Sequence, residues 1–102
     1  EEQFGPVLPV MAFRDEAEAI ERANNSEYGL TASVWSADAD HAAALASEID
    51  SGQVSINSHG GGVQKHLPFG GHKWSGIGVE NGPWGLASFT ELQVISGPSR
   101  LK

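Results

Sequence analysis

With 102 residues, no cysteine and 13 acidic groups against 6 basic ones, the chain carries a net charge of −7 and argues against several classes at once. Disulfides and thiolate metal sites need cysteine, and nucleic-acid affinity needs clustered Lys and Arg. A membrane span needs about 20 consecutive apolar residues, whereas apolar runs here, such as Val10 to Phe13 and Ala42 to Ala46, are far shorter.

The length allows one domain or one piece of a larger one. A hydrophobic fraction of 39% is a little low for a domain that must close its own core. The chain opens on Glu1-Glu2 without a basic n-region, an apolar h-region or an initiator methionine. No signal peptide is read, and a cut chain or an omitted leader is expected, with the cytoplasm as the default compartment. Residues 1–50 hold 11 acids against Arg14 and Arg22, which two solvated helix faces explain.

In chain order, Val7 to Phe13 is apolar on both faces and predicts a buried strand, moved toward a sheet edge by Pro9. Asp15 offers an N-cap, and Glu18 three residues later completes a capping box. Ala17, Ile20 and Ala23 stripe the helix that follows, and Asn24-Asn25-Ser26 ends it. Tyr28-Gly29 turns the chain into a second strand, Leu30 to Trp35. Ser36 or Asp38 caps a second helix with Ala42, Leu45, Ala46 and Ile49 on one face, and Gly52 is placed as its C′ residue. Gln53 to Asn57 alternates as a third strand. A glycine-rich stretch, a short helix from Pro83 to Phe89 and a last strand from Glu91 to Ser96 complete the chain. The predicted fold is α/β: a three-layer arrangement with a largely parallel sheet, βαβαβ, then the glycine loop, short helix and C-terminal strand.

Five of the 13 glycines lie between Pro68 and Gly82. Gly76-x-Gly78-x-x-x-Gly82 resembles a dinucleotide fingerprint, but it follows a loop rather than a strand and has the wrong spacing. Lys73 does not follow a Walker run either. Close approach of backbone to a neighbouring surface is the better reading. His59, His66 and His72 have no helical or strand spacing and no acid among them, so metal ligation is a minority reading. Ser75, His72 and Glu80 could form a triad but lack a nucleophile elbow. Glu2 and Phe4 sit two apart, so in extended chain they point the same way. A carboxylate beside a ring can grip a ribose diol, although a capped strand entry with Phe4 in the core is favoured on physics alone.

Together, "EQFGPVLPV", "ANNSEYGLTASVWS", "SGQVSIN", "LPFGGHKWSGIGVENG" and "GLASFTELQVI" resemble, in order and spacing, the C-terminal part of the aldehyde dehydrogenase superfamily. The resemblance covers nearly the whole chain. It implies that residues 1–90 belong to the catalytic domain and residues 91–102 form an oligomerisation strand and tail. It further implies that Glu2 holds the nicotinamide ribose and Phe4 packs near the nicotinamide of NAD or NADP. By the same resemblance Phe69 and Val63 line the substrate tunnel, Glu80 belongs to a proton path, and the glycine loop wraps the tunnel mouth.

The family nucleophile is a cysteine, and this chain has none; the general base and the cofactor domain would lie upstream. The parent would oxidise a small-molecule aldehyde with NAD(P)+. The isolated chain is expected to be inactive, to bind no cofactor alone and to form a homo-oligomer through residues 91–96. The alternative is a stand-alone binding or assembly module.

Overall fold

The computed structural model describes residues 2–62 and 64–98. Helix α1 (Glu16–Asn24) starts at Asp15, whose side chain accepts from the Glu18 amide at 2.9 Å. Glu18 does not return the bond to Asp15. Its carboxylate accepts from the Arg14 amide at 2.9 Å and from the Arg14 and Arg22 guanidiniums, fixing the chain one residue earlier than a capping box would.

β1 (Tyr28–Gly29) and β2 (Thr31–Val34) follow, then α2 (Ala39–Ala46). Asp38 is the α2 cap, accepting from the amides of Asp40 and His41, while Ser36 accepts from Asp38 one turn earlier. Ala42 is fully buried, and Leu45, Ala46 and Ile49 are half-buried on the predicted face.

β3 (Gln53–Ile56) runs parallel to β2, with Thr31 opposite Gln53 and Val34 opposite Ile56. This β2–α2–β3 unit is the parallel crossover that the alternating pattern predicts. Asn57 locks its end: its backbone takes φ 51°, its amide bonds the Val34 carbonyl, and its side chain bonds both backbone groups of Ser36. Asparagine tolerates this left-handed conformation better than most residues.

β4 (His72–Lys73) pairs antiparallel with β1, and α3 (Gly82–Ala87) closes the ordered elements. Among the described residues no helix is long and apolar enough to cross a membrane.

Three expectations are corrected. There is no three-layer, largely parallel sheet among the described residues; there are two separate two-stranded sheets, one parallel and one antiparallel. Val7–Phe13 and Glu91–Ser96 form no strand pairing. A strand exists only where a neighbour takes its hydrogen bonds, and neither segment has one here, so their apolar side chains stand exposed. Gly52 is not the α2 C′ residue, because α2 ends at Ala46 with Ser47 as its C-cap.

The radius of gyration is 19.0 Å, against about 13 Å for a closed domain of roughly 100 residues. Ala42 is the one hydrophobic residue counted as buried among those described. The elements therefore present apolar faces without enclosing them.

Candidate functional site

The glycine-rich stretch is folded back on itself by backbone bonds. Phe69 donates to the Glu80 carbonyl at 2.8 Å and Glu80 donates to the Phe69 carbonyl at 2.7 Å. Between them the chain contacts itself and its neighbours at distances only glycine permits. A Cβ on Gly70 would lie 2.6 Å from the Gly78 carbonyl oxygen, and one on Gly52 would lie 1.6 Å from that of Gly70. Close approach thus accounts for Gly70, Gly71 and Gly82, whereas Gly76 and Gly78 take φ 142° and 96° with nothing within 4 Å of an added Cβ.

A polar network anchors this loop to the helices. Lys73, at φ 54°, donates from Nζ to the Asn24 carbonyl at 2.8 Å and lies 3.3 Å from Asp50 Oδ2. His72 Nδ1 lies 2.7 Å from Asp50 Oδ1. The His72 ring, and after it the Lys73 ammonium, hold the Asp50 carboxyl below its ordinary range. Asn24 donates from Nδ2 to the Glu48 carbonyl and accepts from the Asp50 amide through Oδ1, both at 2.8 Å. Trp74 donates to the Glu27 carbonyl, and Gly29 donates to the Ser75 hydroxyl. Sequence reasoning read Asn24 only as a helix end and gave Lys73 no role; no local signal marks a bond across half the chain.

Of the sequence-derived site residues, Phe69 and Glu80 are brought together. Phe69 is half-buried, Glu80 is exposed, and both line an open cavity of about 400 Å³ with Gly70, Gly71, Ser75 and Ile77. Phe69 also lines a second cavity of about 200 Å³, beside His59 and Gly60–Gly62. Glu2 lines a third cavity, of about 660 Å³, with Gln3, Tyr28 and Trp74, and this one shares Leu30 and Ser75 with the cavity of Phe69 and Glu80. Phe4 is 97% exposed and lines none of these three, so the core placement is overturned. Val63 lies outside the described residues.

Ser75, His72 and Glu80 form no triad. The Ser75 hydroxyl serves Gly29, His72 serves Asp50, and Glu80 is tied to Phe69 through its backbone. Among the described residues no three His, Cys, Asp or Glu side chains gather as a metal site.

Comparison with known proteins gives this geometry its setting. The family model described as aldehyde dehydrogenase matches residues 1–95. The chain belongs to the aldehyde dehydrogenase family. It is 50% identical over 90 residues to vanillin dehydrogenase of Corynebacterium glutamicum, covering 88% of this chain and 19% of that protein. It is 45% identical over 96 residues to human retinaldehyde dehydrogenase 3, covering 94% and 19%. Among solved structures, a Mycobacterium tuberculosis aldehyde dehydrogenase complexed with NAD+ superposes with a TM-score of 0.80 at 42% identity, over 85% of this chain and 18% of that one. Betaine aldehyde dehydrogenase of Staphylococcus aureus in complex with NAD+ gives 0.82 at 44%, over 87% and 18%. The chain thus spans about a fifth of the length of these relatives.

The family implies a dinucleotide, and two residues present carry groups of the kind its nicotinamide end would need. Glu2 offers an exposed carboxylate that accepts no hydrogen bond among the described residues, and Phe4 offers an uncovered ring. A carboxylate accepts from two hydroxyls of a diol, and a ring packs on a flat heterocycle. No group among the described residues forms a cradle for the pyrophosphate end, where backbone amides at a strand-to-helix turn are needed.

Proposed function

We propose that this chain supplies the nicotinamide-side grip and part of the substrate tunnel of an NAD(P)-dependent aldehyde dehydrogenase, corresponding to the C-terminal part of the catalytic domain. The observation that carries this reading is the superposition on NAD+-bound enzymes at a TM-score of 0.82. When bound, NAD(P)+ supplies the hydride acceptor for aldehyde oxidation. Glu2 would hold the nicotinamide ribose through its hydroxyls, and Phe4 would keep the nicotinamide from tilting. Phe69, and Val63 by resemblance, would face the substrate. Glu80, fixed at the Phe69 bridge, would pass protons toward the general base.

By itself the chain lacks the chemistry. Nucleophilic attack on an aldehyde in this family uses a thiolate, and the 102 residues contain no cysteine. Ser75, which lines the cavity of Phe69 and Glu80, has its oxygen engaged with the Gly29 amide rather than with a base. The purified chain should therefore form no NADH or NADPH from any aldehyde. Turnover that survives removal of contaminants overturns this reading. The relatives' names span aromatic, retinoid and betaine aldehydes, so they do not choose among substrates. Residues 91–96, exposed and without strand pairing, are proposed as the homo-oligomer contact, and the cytoplasm as the compartment.

A further inference from the structure

Thr31 and Gln53 are register partners in the parallel pair, and Ser55, two residues on, shares the face of Gln53. All three line the cavity of about 200 Å³ that Phe69 and His59 also border. The side-chain hydrogen bonds around this sheet are made by Trp35 with Ser33 and by Asn57 with Ser36. Among the described residues Thr31, Gln53, Ser55 and His59 make none, so residues with two hydroxyls, an amide and an imidazole border one small cavity without a side-chain partner in the chain. The remaining wall, Gly60–Gly62, has no heavy atom within 4 Å of any added Cβ, which leaves the mouth open beside Phe69.

We propose that this cavity selects ring aldehydes that carry a hydroxyl group, with His59 and Gln53 as specificity-determining side chains. The inference rests on Phe69 facing substrate, as proposed above. A cavity of roughly 150 Å³ already admits a benzene ring, so the volume suits a single substituted ring packed on Phe69. A ring hydroxyl both donates and accepts, as do the Gln53 amide and the His59 imidazole. A ring without the hydroxyl would strip water from these groups and return nothing, which is how a polar wall discriminates.

The test uses the 102-residue chain, labelled with ¹⁵N and titrated separately with 4-hydroxybenzyl alcohol and with benzyl alcohol. The alcohols replace the reactive carbonyl, so Lys65 and Lys73 are not modified. Both probes should shift the amides of residues 31, 53, 55, 59–62 and 69. The hydroxylated probe should bind roughly three- to tenfold tighter, the worth of one net hydrogen bond. His59→Ala combined with Gln53→Ala should bring the two probes to parity while the remaining β2 and β3 amides keep their positions. If Gln53→Ala disturbs the sheet, His59→Ala alone, on an exposed loop, should still lower the ratio. Equal affinities in the unaltered chain overturn the selection but leave Phe69 as a substrate-facing ring. A ratio that persists in the variants overturns His59 and Gln53 as its source. No shift at Phe69 with either probe overturns both this inference and the placement of Phe69.

Discussion

Phe69 and Glu80 exchange two backbone hydrogen bonds, 2.8 and 2.7 Å long, so the aromatic and the acid are held as neighbours without their side chains. The loop between them is closed at its base by this bridge and sewn to β1 and α1 through Lys73 and Ser75. Because the Glu80 carboxylate takes no part in the bridge, Glu80→Gln should leave stability within about 0.5 kcal/mol of the unaltered chain. Loss of the Phe69 and Glu80 amide protections in hydrogen exchange of that variant would show that the carboxylate holds the loop.

Gly52 and Gly61 separate two uses of glycine. Gly52→Ala places a Cβ 1.6 Å from the Gly70 carbonyl oxygen, a backbone atom, whereas Gly61→Ala meets nothing within 4 Å. In urea titration Gly52→Ala should cost about 3 kcal/mol, the upper range for overpacking, or prevent folding. Gly61→Ala should stay within about 0.5 kcal/mol. Similar midpoints for both variants would refute the close approach of Gly52 and Gly70.

Asn24 satisfies one carbonyl and one amide of the α2–β3 turn. Asn24→Ala strands both and should cost about 1–2 kcal/mol, with faster exchange at the Asp50 amide. An unchanged Asp50 exchange rate would mean that the bond is not maintained in solution.

Two limbs of pH dependence follow from the ion pairs. Asp50 is held below its ordinary 3.8 by His72 and then Lys73. Its contribution is present above that value and fades as pH falls through the lowered one. His41 is raised above 6.5, chiefly by its bond to Glu16 at 2.7 Å. That contribution is complete below 6.5 and is lost as pH rises through the raised value. Thermal midpoints should therefore decline at both ends, and His41→Gln should flatten the alkaline limb alone. An alkaline limb that survives His41→Gln assigns it to another group.

Leu92, Val94 and Ile95 stand exposed on a segment without strand pairing and without Pro or Lys to blunt it. Sedimentation equilibrium at micromolar concentration should show a dimer or larger species, and Val94→Lys should shift it to monomer. A monomeric unaltered chain, or an oligomer indifferent to Val94→Lys, counts against residues 91–96 as the contact.

Local signals made much of this legible. Asp15 and Asp38 cap the helices they were assigned, and the alternation at Gln53 gave β3, because caps and periodicity act within a few residues. Val7–Phe13 and Leu92–Ile95 read as strands on the same grounds but depend on partners that local pattern cannot supply. The site split the same way. Phe69 and Glu80, named from a motif, are backbone partners, whereas Glu2 lines a neighbouring cavity that shares Leu30 and Ser75 with theirs. The Asn24–Lys73–Asp50 network and the place of His59 beside Phe69 arise from contacts between distant segments.

The most direct test of the account asks whether these residues serve aldehyde oxidation when the rest of the enzyme is present. Residues 2–95 would replace their counterparts in the Corynebacterium vanillin dehydrogenase, and NADH formation would be followed in a single turnover. The account predicts that the exchanged enzyme forms NADH and that Phe4→Ala or Glu2→Gln within it slows the step by about 10²-fold, as misplacement of a reacting group by about 1 Å does. A folded exchange enzyme that forms no NADH, or variants that keep its full single-turnover rate, would contradict it.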